Sequence, residues 1–500
     1  MAESFVRRLD AAARRFAGKP ALVWEGGALT FAELEQKARA FSEALAGAGG
    51  RPGDRIALAI GNHWTFAVAL LAVWKLGATV APLDALLKPA EQADIVADLD
   101  PALLVRREDV EGLAAGTAKR SGPGDDAALI LYTSGSTGRP KGAVLSHPAL
   151  TLANESWAGP VMALTSEDVV LATLPLAHSF GLNGALLAPL LTGSTVALVE
   201  RFAPDAVVAA IRARRVTVFP GVATMFRRLL ESGELNAGDL SSVRIAVSGA
   251  APCPWDLARE WRERTGIRIV RGYGMTELFR PISYSATDTT EAPDAIGRAV
   301  PGVELRIVDD ELWIKSPSAM ERYVNAPAET REVLVDGWFR TGDLATVSPD
   351  GLVTIVGRKR ERILRGGYSV FPAEVEAVLL AHPAVAEAAV VGMRHAELGE
   401  DVAAFVALRP GTAAAPGELI AHCRGRLAAV KYPRRVTESL ARIVPKLRRP
   451  KRGPPWIHLT RILRTRLFDR VQRRDLRNRE RGQPVPGEVA AGRAYRSDED

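Results

Sequence analysis

One run of this 500-residue chain concentrates groups that can hold an anion. Apolar Leu129-Ile130-Leu131 leads through Tyr132 into Thr133-Ser134-Gly135-Ser136-Thr137-Gly138, followed by Arg139, Pro140, Lys141 and Gly142. Glycines let the backbone turn tightly and present N–H groups to an anion. The four hydroxyls add donors, and Lys141 supplies a point charge. Together they suit a polyphosphate. The run is not a Walker A loop, because Gly138 is not followed directly by Lys and Ser/Thr. Cys253 and Cys423 lie far apart, which argues against a zinc site or a disulfide framework and favours a reducing compartment.

The surrounding pattern must place that loop. Residues 28–45 form a helical apolar period behind a Thr30 N-cap, with Glu33 three residues on. Short apolar runs at 55–62, 78–84, 168–176, 194–200, 216–221 and 243–250 end in turn residues and read as strands. Helical segments such as 204–215 fall between them. Alternation of this kind predicts a large α/β domain with mainly parallel sheets over residues 1–356. From Gly357 the order changes to helix 372–383, strands 385–393 and 401–410, and helix 417–428, a small α+β domain over 357–445. The charged segment 357–362 joins the two, and 446–500 reads as an atypical, poorly ordered basic tail. Phe5, Leu9, Ala12 and Phe16 among Arg7, Arg8, Arg14 and Arg15 predict an amphipathic N-terminal helix rather than a signal peptide. The apolar runs 66–74 and 186–199 are too short or too interrupted for a bilayer span of roughly 20 residues. They read as buried elements.

Tyr132 to Gly142 resembles the phosphate-loop signature of the adenylate-forming enzymes, above all fatty-acyl-CoA synthetases and related acyl-CoA ligases. Four further segments resemble that family's motifs in the same order: 248–252 (SGAAP), 271–277 (RGYGMTE), 337–345 (GWFRTGDLA) and 357–376 (GRKRERILRGGYSVFPAEVE). The resemblance covers about residues 10 to 435. It implies ATP, Mg2+ and CoA as cofactors and co-substrates. A carboxylate attacks the α-phosphorus of ATP to give acyl-AMP and pyrophosphate, and a thiol then displaces AMP. The small domain is mobile and turns between the steps.

The roles carried over are physically sensible residue by residue. Gly249, Ala250 and Ala251 leave room for nucleotide and acyl group, and Gly272 and Gly274 belong with Tyr273 to the set implied to bind adenine and ribose. Tyr273 can stack on adenine. Thr276 can bond the α-phosphate, and Glu277 is a hard oxygen ligand for Mg2+ between phosphates. Asp343 has the acceptor chemistry for a ribose diol, with Arg358 the second ribose contact. Arg360 stands in the hinge where Asp or Lys is usual, and Gly366, Gly367 and Tyr368 resemble the loop lining the thiol tunnel.

Segment 174–191 resembles that of fatty-acyl and aryl-CoA synthetases, with His178 at the position that closes the acyl site and Phe180 beside it. Phe219, Val222 and Met225 supply an apolar wall, and no acid is evident there to bind an amino group. The expected substrate is an apolar carboxylic acid, narrowed to a medium- or long-chain fatty acid by the likeness of the loop at 365–376. Two alternatives stand beside a CoA ligase: a fatty-acyl-AMP ligase loading a carrier-protein thiol, and a catalytically impaired nucleotide-binding homologue. The latter follows from the C-terminus. Aligning Pro445-Lys446 with the family's Pro-Lys puts Lys451 at the catalytic position, but the usual preceding Gly is missing and Arg448, Arg449 and Arg452 crowd it.

The net charge of +7 belongs to that same region. Residues 446–500 hold 16 Lys and Arg against 7 Asp and Glu, leaving 49 against 51 elsewhere. The expectation is a cytoplasmic protein with no nucleic-acid partner, whose tail could touch an anionic membrane.

Overall fold

The computed structural model describes residues 5–119, 127–133, 140–233, 235, 237–289, 291–365, 368–395 and 397–438. Contacts divide the chain into two units. One runs through Thr341 and includes Val347–Thr354; the other takes Gly342–Thr346 and Ile355 onward.

Two large sheets build the first unit. The seven-stranded one runs in the order Ile269–Val270, Ile245–Ser248, Val218–Gly221, Val169–Ala172, Thr195–Leu198, Pro20–Trp24, Gly27–Thr30, and only its final pair is antiparallel. The six-stranded one runs Arg322–Tyr323, Lys141–Leu145, Leu129–Thr133, Thr79–Pro82, Arg55–Ala59, Leu103–Arg106. Its last four strands are parallel, and its first two pair antiparallel. This is the mainly parallel α/β architecture that the alternating pattern predicts. The helix Phe31–Gly47 starts where the sequence places it, with Thr30 and Glu33 closing a reciprocal cap. The amphipathic helix Phe5–Arg15 buries Phe5, Leu9 and Ala12. The run at 66–74 lies inside helix Trp64–Lys75, buried among neighbouring elements. Among the described residues no helix is long and apolar enough to cross a membrane.

A smaller antiparallel sheet, Gly272–Met275, Phe279–Ser283 and Arg298–Ala299, carries the RGYGMTE segment. Two π-helical turns, Trp157–Val161 and Gly181–Leu187, flank the apolar cluster beneath it. Such wide turns are frequent at functional sites.

In the second unit, strands Val385–His395 and Gly399–Leu408 form a long antiparallel pair, extended by Ile363–Arg365 with Tyr368–Val370 and by parallel Arg435–Glu438. Val402, Ala404 and Val406 point with period two into a core shared with Val375 and Leu379 of helix Pro372–Leu380 and Leu419 and Cys423 of helix Pro416–Arg424.

Candidate active site

Strands Leu129–Thr133 and Lys141–Leu145 pair so that Thr133 faces Lys141. Ser134, Gly135, Ser136, Thr137 and Gly138, which lie between them, fall outside the described residues. A Cβ at Gly142 would approach Ile130 Cγ2 to 2.9 Å and Tyr132 Cζ to 3.0 Å, so glycine lets the Tyr132 ring cross the hairpin. The Tyr132 hydroxyl donates to Asp98 Oδ2 at 2.7 Å, and Asn325 Nδ2 donates to the Asp98 carbonyl at 2.7 Å. Burial, aided by the Asp98 carboxylate, pushes the Tyr132 phenol well above its ordinary pKa.

The strand Arg322–Tyr323 adds antiparallel to Lys141–Leu145, with Tyr323 opposite Ala143. This pairing joins two motifs that are distant in sequence. Lys141 Nζ lies 5.4 Å from the centroid of the Tyr323 ring, and the Tyr323 hydroxyl donates to Glu277 Oε1 at 2.7 Å. Burial first, and then the negative Glu277, raise the Tyr323 pKa, which keeps the phenol a donor. The Met320 amide also fixes the Glu277 carbonyl at 2.7 Å. Tyr323 is a site residue that sequence reasoning missed. Nothing local marks it; its place comes from a two-residue strand that docks on a hairpin far upstream.

Thr276, Glu277 and Leu278 form the turn between Gly272–Met275 and Phe279–Ser283. Thr276 and Tyr273 are half-buried. Phe279 turns the corner with a left-handed φ of 57°, and a Cβ at Gly274 would overlap its carbonyl oxygen. Only glycine at 274 permits this closure. After strand Ile245–Ser248, Ala250 is also left-handed, at φ 62°, exposed beside buried Gly249 and half-buried Ala251. Strained residues of this kind collect at ligand sites.

Phe180 stacks on Trp157, with centroids 5.2 Å apart and planes at 19°. Val222 and Met225 pack against the same cluster. Phe219 does not join them. Successive strand residues point to opposite faces, so Val218 enters this cluster while Phe219 enters the core of Phe226 and Trp261. His178 is exposed, and its Nε2 lies 3.0 Å from Asp84 Oδ2. Burial raises the Asp84 pKa, but the His178 contact and the Leu86 amide outweigh it and hold the carboxyl below its ordinary value. Asn62 clamps the preceding loop by donating to the Leu174 carbonyl at 2.7 Å and accepting from the Leu176 amide at 2.9 Å.

In the second unit, Asp343 is buried at 3% exposure with Arg358 Nε 2.9 Å from its Oδ1. Arg360 lies in the 3-10 turn Lys359–Glu361. Tyr368 is 61% exposed, opposite Arg365 on the neighbouring strand. Gly366, Gly367 and Lys451 fall outside the described residues. Among the described residues no three His, Cys, Asp or Glu side chains cluster to hold a metal.

A family model described as AMP-binding enzyme matches residues 9–122 and 111–324, and one described as AMP-binding enzyme C-terminal domain matches 374–451. This chain belongs to the AMP-binding enzyme family. It is 36% identical over 445 residues to a feruloyl-CoA synthase from Amycolatopsis sp, covering 82% of this chain and 90% of that protein. It is 30% identical over 506 residues to a long-chain-fatty-acid–CoA ligase from Yersinia pestis, covering 86% and 90%. ATP-bound MatB from Rhodopseudomonas palustris superposes with a TM-score of 0.78 at 30% identity, covering 86% of this chain and 94% of that one. Within the AMP-binding enzymes the chain is an AMP-forming acid–thiol ligase of the acyl-CoA synthetase type.

Proposed function

We propose that this ligase joins an acid with an apolar body to CoA through an acyl-adenylate. The observation that carries the reading is the line Lys141–Tyr323–Glu277, which links the phosphate-loop hairpin to the GYGMTE turn. Lys141 and the loop donors neutralise the β- and γ-phosphates as the substrate carboxylate attacks the α-phosphorus and pyrophosphate leaves. Thr276 donates to the α-phosphate, Tyr273 stacks on adenine, and Asp343, held by Arg358, accepts from the ribose hydroxyls. Lys451 is proposed to contact the carboxylate and α-phosphate; the C-terminal family match extends to that residue. In the second step the CoA thiol attacks the acyl carbonyl and AMP leaves, with Tyr368 and Gly366-Gly367 proposed beside the thiol.

Mg2+ typically keeps several waters and takes one or two carboxylates plus substrate phosphates. A half-buried carboxylate oriented by a phenol fits that demand, so Glu277 would hold the ion, which would supply charge neutralisation between phosphates. Phe180, Val222, Met225 and Trp157 favour an apolar acyl body. Relatives named for feruloyl and for long-chain fatty acyl substrates both support that class, and the narrower medium- or long-chain fatty acid is one member of it.

The test is pyrophosphate release over a panel of fatty, aryl and short acids, with and without CoA. Acid-dependent release is expected, with acyl-AMP held on the enzyme when CoA is omitted. Glu277→Gln and Lys451→Ala should each lower the rate by about a hundredfold or more. Release that no acid stimulates would overturn the reading.

A further inference from the structure

Arg280 stands in strand Phe279–Ser283 and is 6% exposed. Its Nε donates to Ser283 Oγ at 3.0 Å, Nη1 to the Ser248 carbonyl at 2.9 Å, and Nη2 to the Val270 carbonyl at 3.2 Å. The Trp157 ring lies below, 5.0 Å from centroid to Cζ. All these partners are neutral, and among the described residues no carboxylate pairs with the guanidinium. A guanidinium has five N–H groups. Two of those on Arg280, one on each terminal nitrogen, have no acceptor among the described residues. Burial alone depresses its pKa, to about 9, with no neighbouring charge offsetting the effect. Two other buried arginines are paired with acids: Arg365 Nε lies 2.7 Å from Asp401, and Arg271 Nε lies 3.4 Å from Glu291.

The position of this unpaired charge gives it meaning. A Cβ at Gly249 would approach Nη1 to 2.9 Å and Phe180 Cε1 to 3.1 Å, and one at Gly272 would overlap the guanidinium. The cation therefore lies directly against the glycines of the SGAAP and RGYGMTE motifs, beside the Trp157–Phe180 stack. We propose that Arg280 sets acid specificity by pairing with an oxygen acceptor, best an anionic one, at the end of the acyl group remote from the reacting carboxyl. This rests on the reading above, in which Gly249 and Gly272 line the acyl-adenylate site. A plain alkyl end would leave the buried N–H groups unpaired; a carboxylate or phenolic oxygen would satisfy them. Sites built to hydrogen-bond a substrate group discriminate strongly against the analogue lacking it.

The experiment measures kcat/KM for pyrophosphate release on size-matched pairs: hexanedioate against hexanoate, octanedioate against octanoate, and 4-hydroxycinnamate against cinnamate. The wild-type enzyme should favour the oxygen-bearing member of at least one pair by about tenfold or more. Equal rates, or preference for the unsubstituted acid in every pair, would overturn the inference while leaving the ligase reading intact. In Arg280→Met the preference should collapse to within about threefold; a folded variant that keeps the wild-type ratio also overturns it. Should that variant fail to fold, the wild-type ratios decide. Absence of acid-dependent release with every acid overturns the ligase reading, and this inference with it.

Discussion

Two ends of one small sheet treat buried arginine in opposite ways. Just before strand Gly272–Met275, Arg271 is 4% exposed and bonds the Pro293 and Ala292 carbonyls, each at 2.7 Å. It also shares Glu291 with Arg268, whose Nε lies 2.7 Å from that carboxylate. Across the sheet, Arg280 is as deeply buried and has no acid partner among the described residues. A guanidinium that only holds structure is given a counter-charge from the protein. One left with neutral partners against the glycines of two motifs is ready for a counter-charge from outside. A buried acid is matched in the same way: Asp168 lies 2.9 Å from the exposed Arg244 at the start of strand Val169–Ala172.

The comparison breaks most readily at Glu291. Glu291→Ala strands Arg268 and Arg271, and stability should fall by about 3–5 kcal/mol in urea unfolding. A loss under about 1 kcal/mol would mean that carbonyls alone compensate Arg271, and the contrast with Arg280 would dissolve. At the site end, Tyr323→Phe removes the bond to Glu277. The expected result is a fall in kcat/KM of about tenfold, the equivalent of about 1.4 kcal/mol, with an unchanged melting temperature. A lower melting temperature with unchanged kcat/KM would reassign Tyr323 to structure. Arg280→Met removes a desolvated charge but frees two carbonyls. Its net effect on unfolding free energy should stay within about 1 kcal/mol, far below that of Glu291→Ala.

The smallest effect concerns pH. Burial raises the Asp168 pKa, but bonds from Arg244, Thr217 and the Thr165 amide outweigh it and hold the folded value below the ordinary one. The resulting stabilisation is complete above the unfolded carboxylate value of about 3.9 and is lost as pH falls through the lower folded value. Arg244→Met should flatten the acid limb of stability below about pH 4. An unchanged limb would remove Asp168 from the paired class.

The alternating strands of the parallel sheets and the helices between them were legible where their periodicity is local, as at 55–62, 168–176 and 204–215. Thr30 and Glu33 announced a cap, and the apolar run 401–410 announced a strand. Candidate site residues within one motif, such as Glu277 or Lys141, could be named from the sequence, and the structure joins those two through Tyr323. What could not be read was anything fixed by pairing across the chain. Tyr323 reaches Glu277 only through the register of Arg322–Tyr323 on Lys141–Leu145. Phe219 sits one strand position away from the pocket face. His178, expected at a closed apolar site, is exposed and anchored by Asp84, which is far upstream. Arg280 did leave a trace, a cation inside apolar Leu278-Phe279-Arg280-Pro281-Ile282, but that it meets no acid among the described residues is seen only in the folded chain.

The close approach of Arg280 to Gly272 also constrains how this ligase could be rebuilt. Position 272 has ordinary backbone angles, so the obstacle to a side chain there is the guanidinium, not the peptide. Alanine at 272 would push the guanidinium off its present hydrogen bonds, and shortening position 280 should relieve that clash. A substitution at Gly272 alone disturbs the guanidinium, whereas one that follows a change at Arg280 does not. The order of substitution thus decides which substrate ranges can be reached from this sequence.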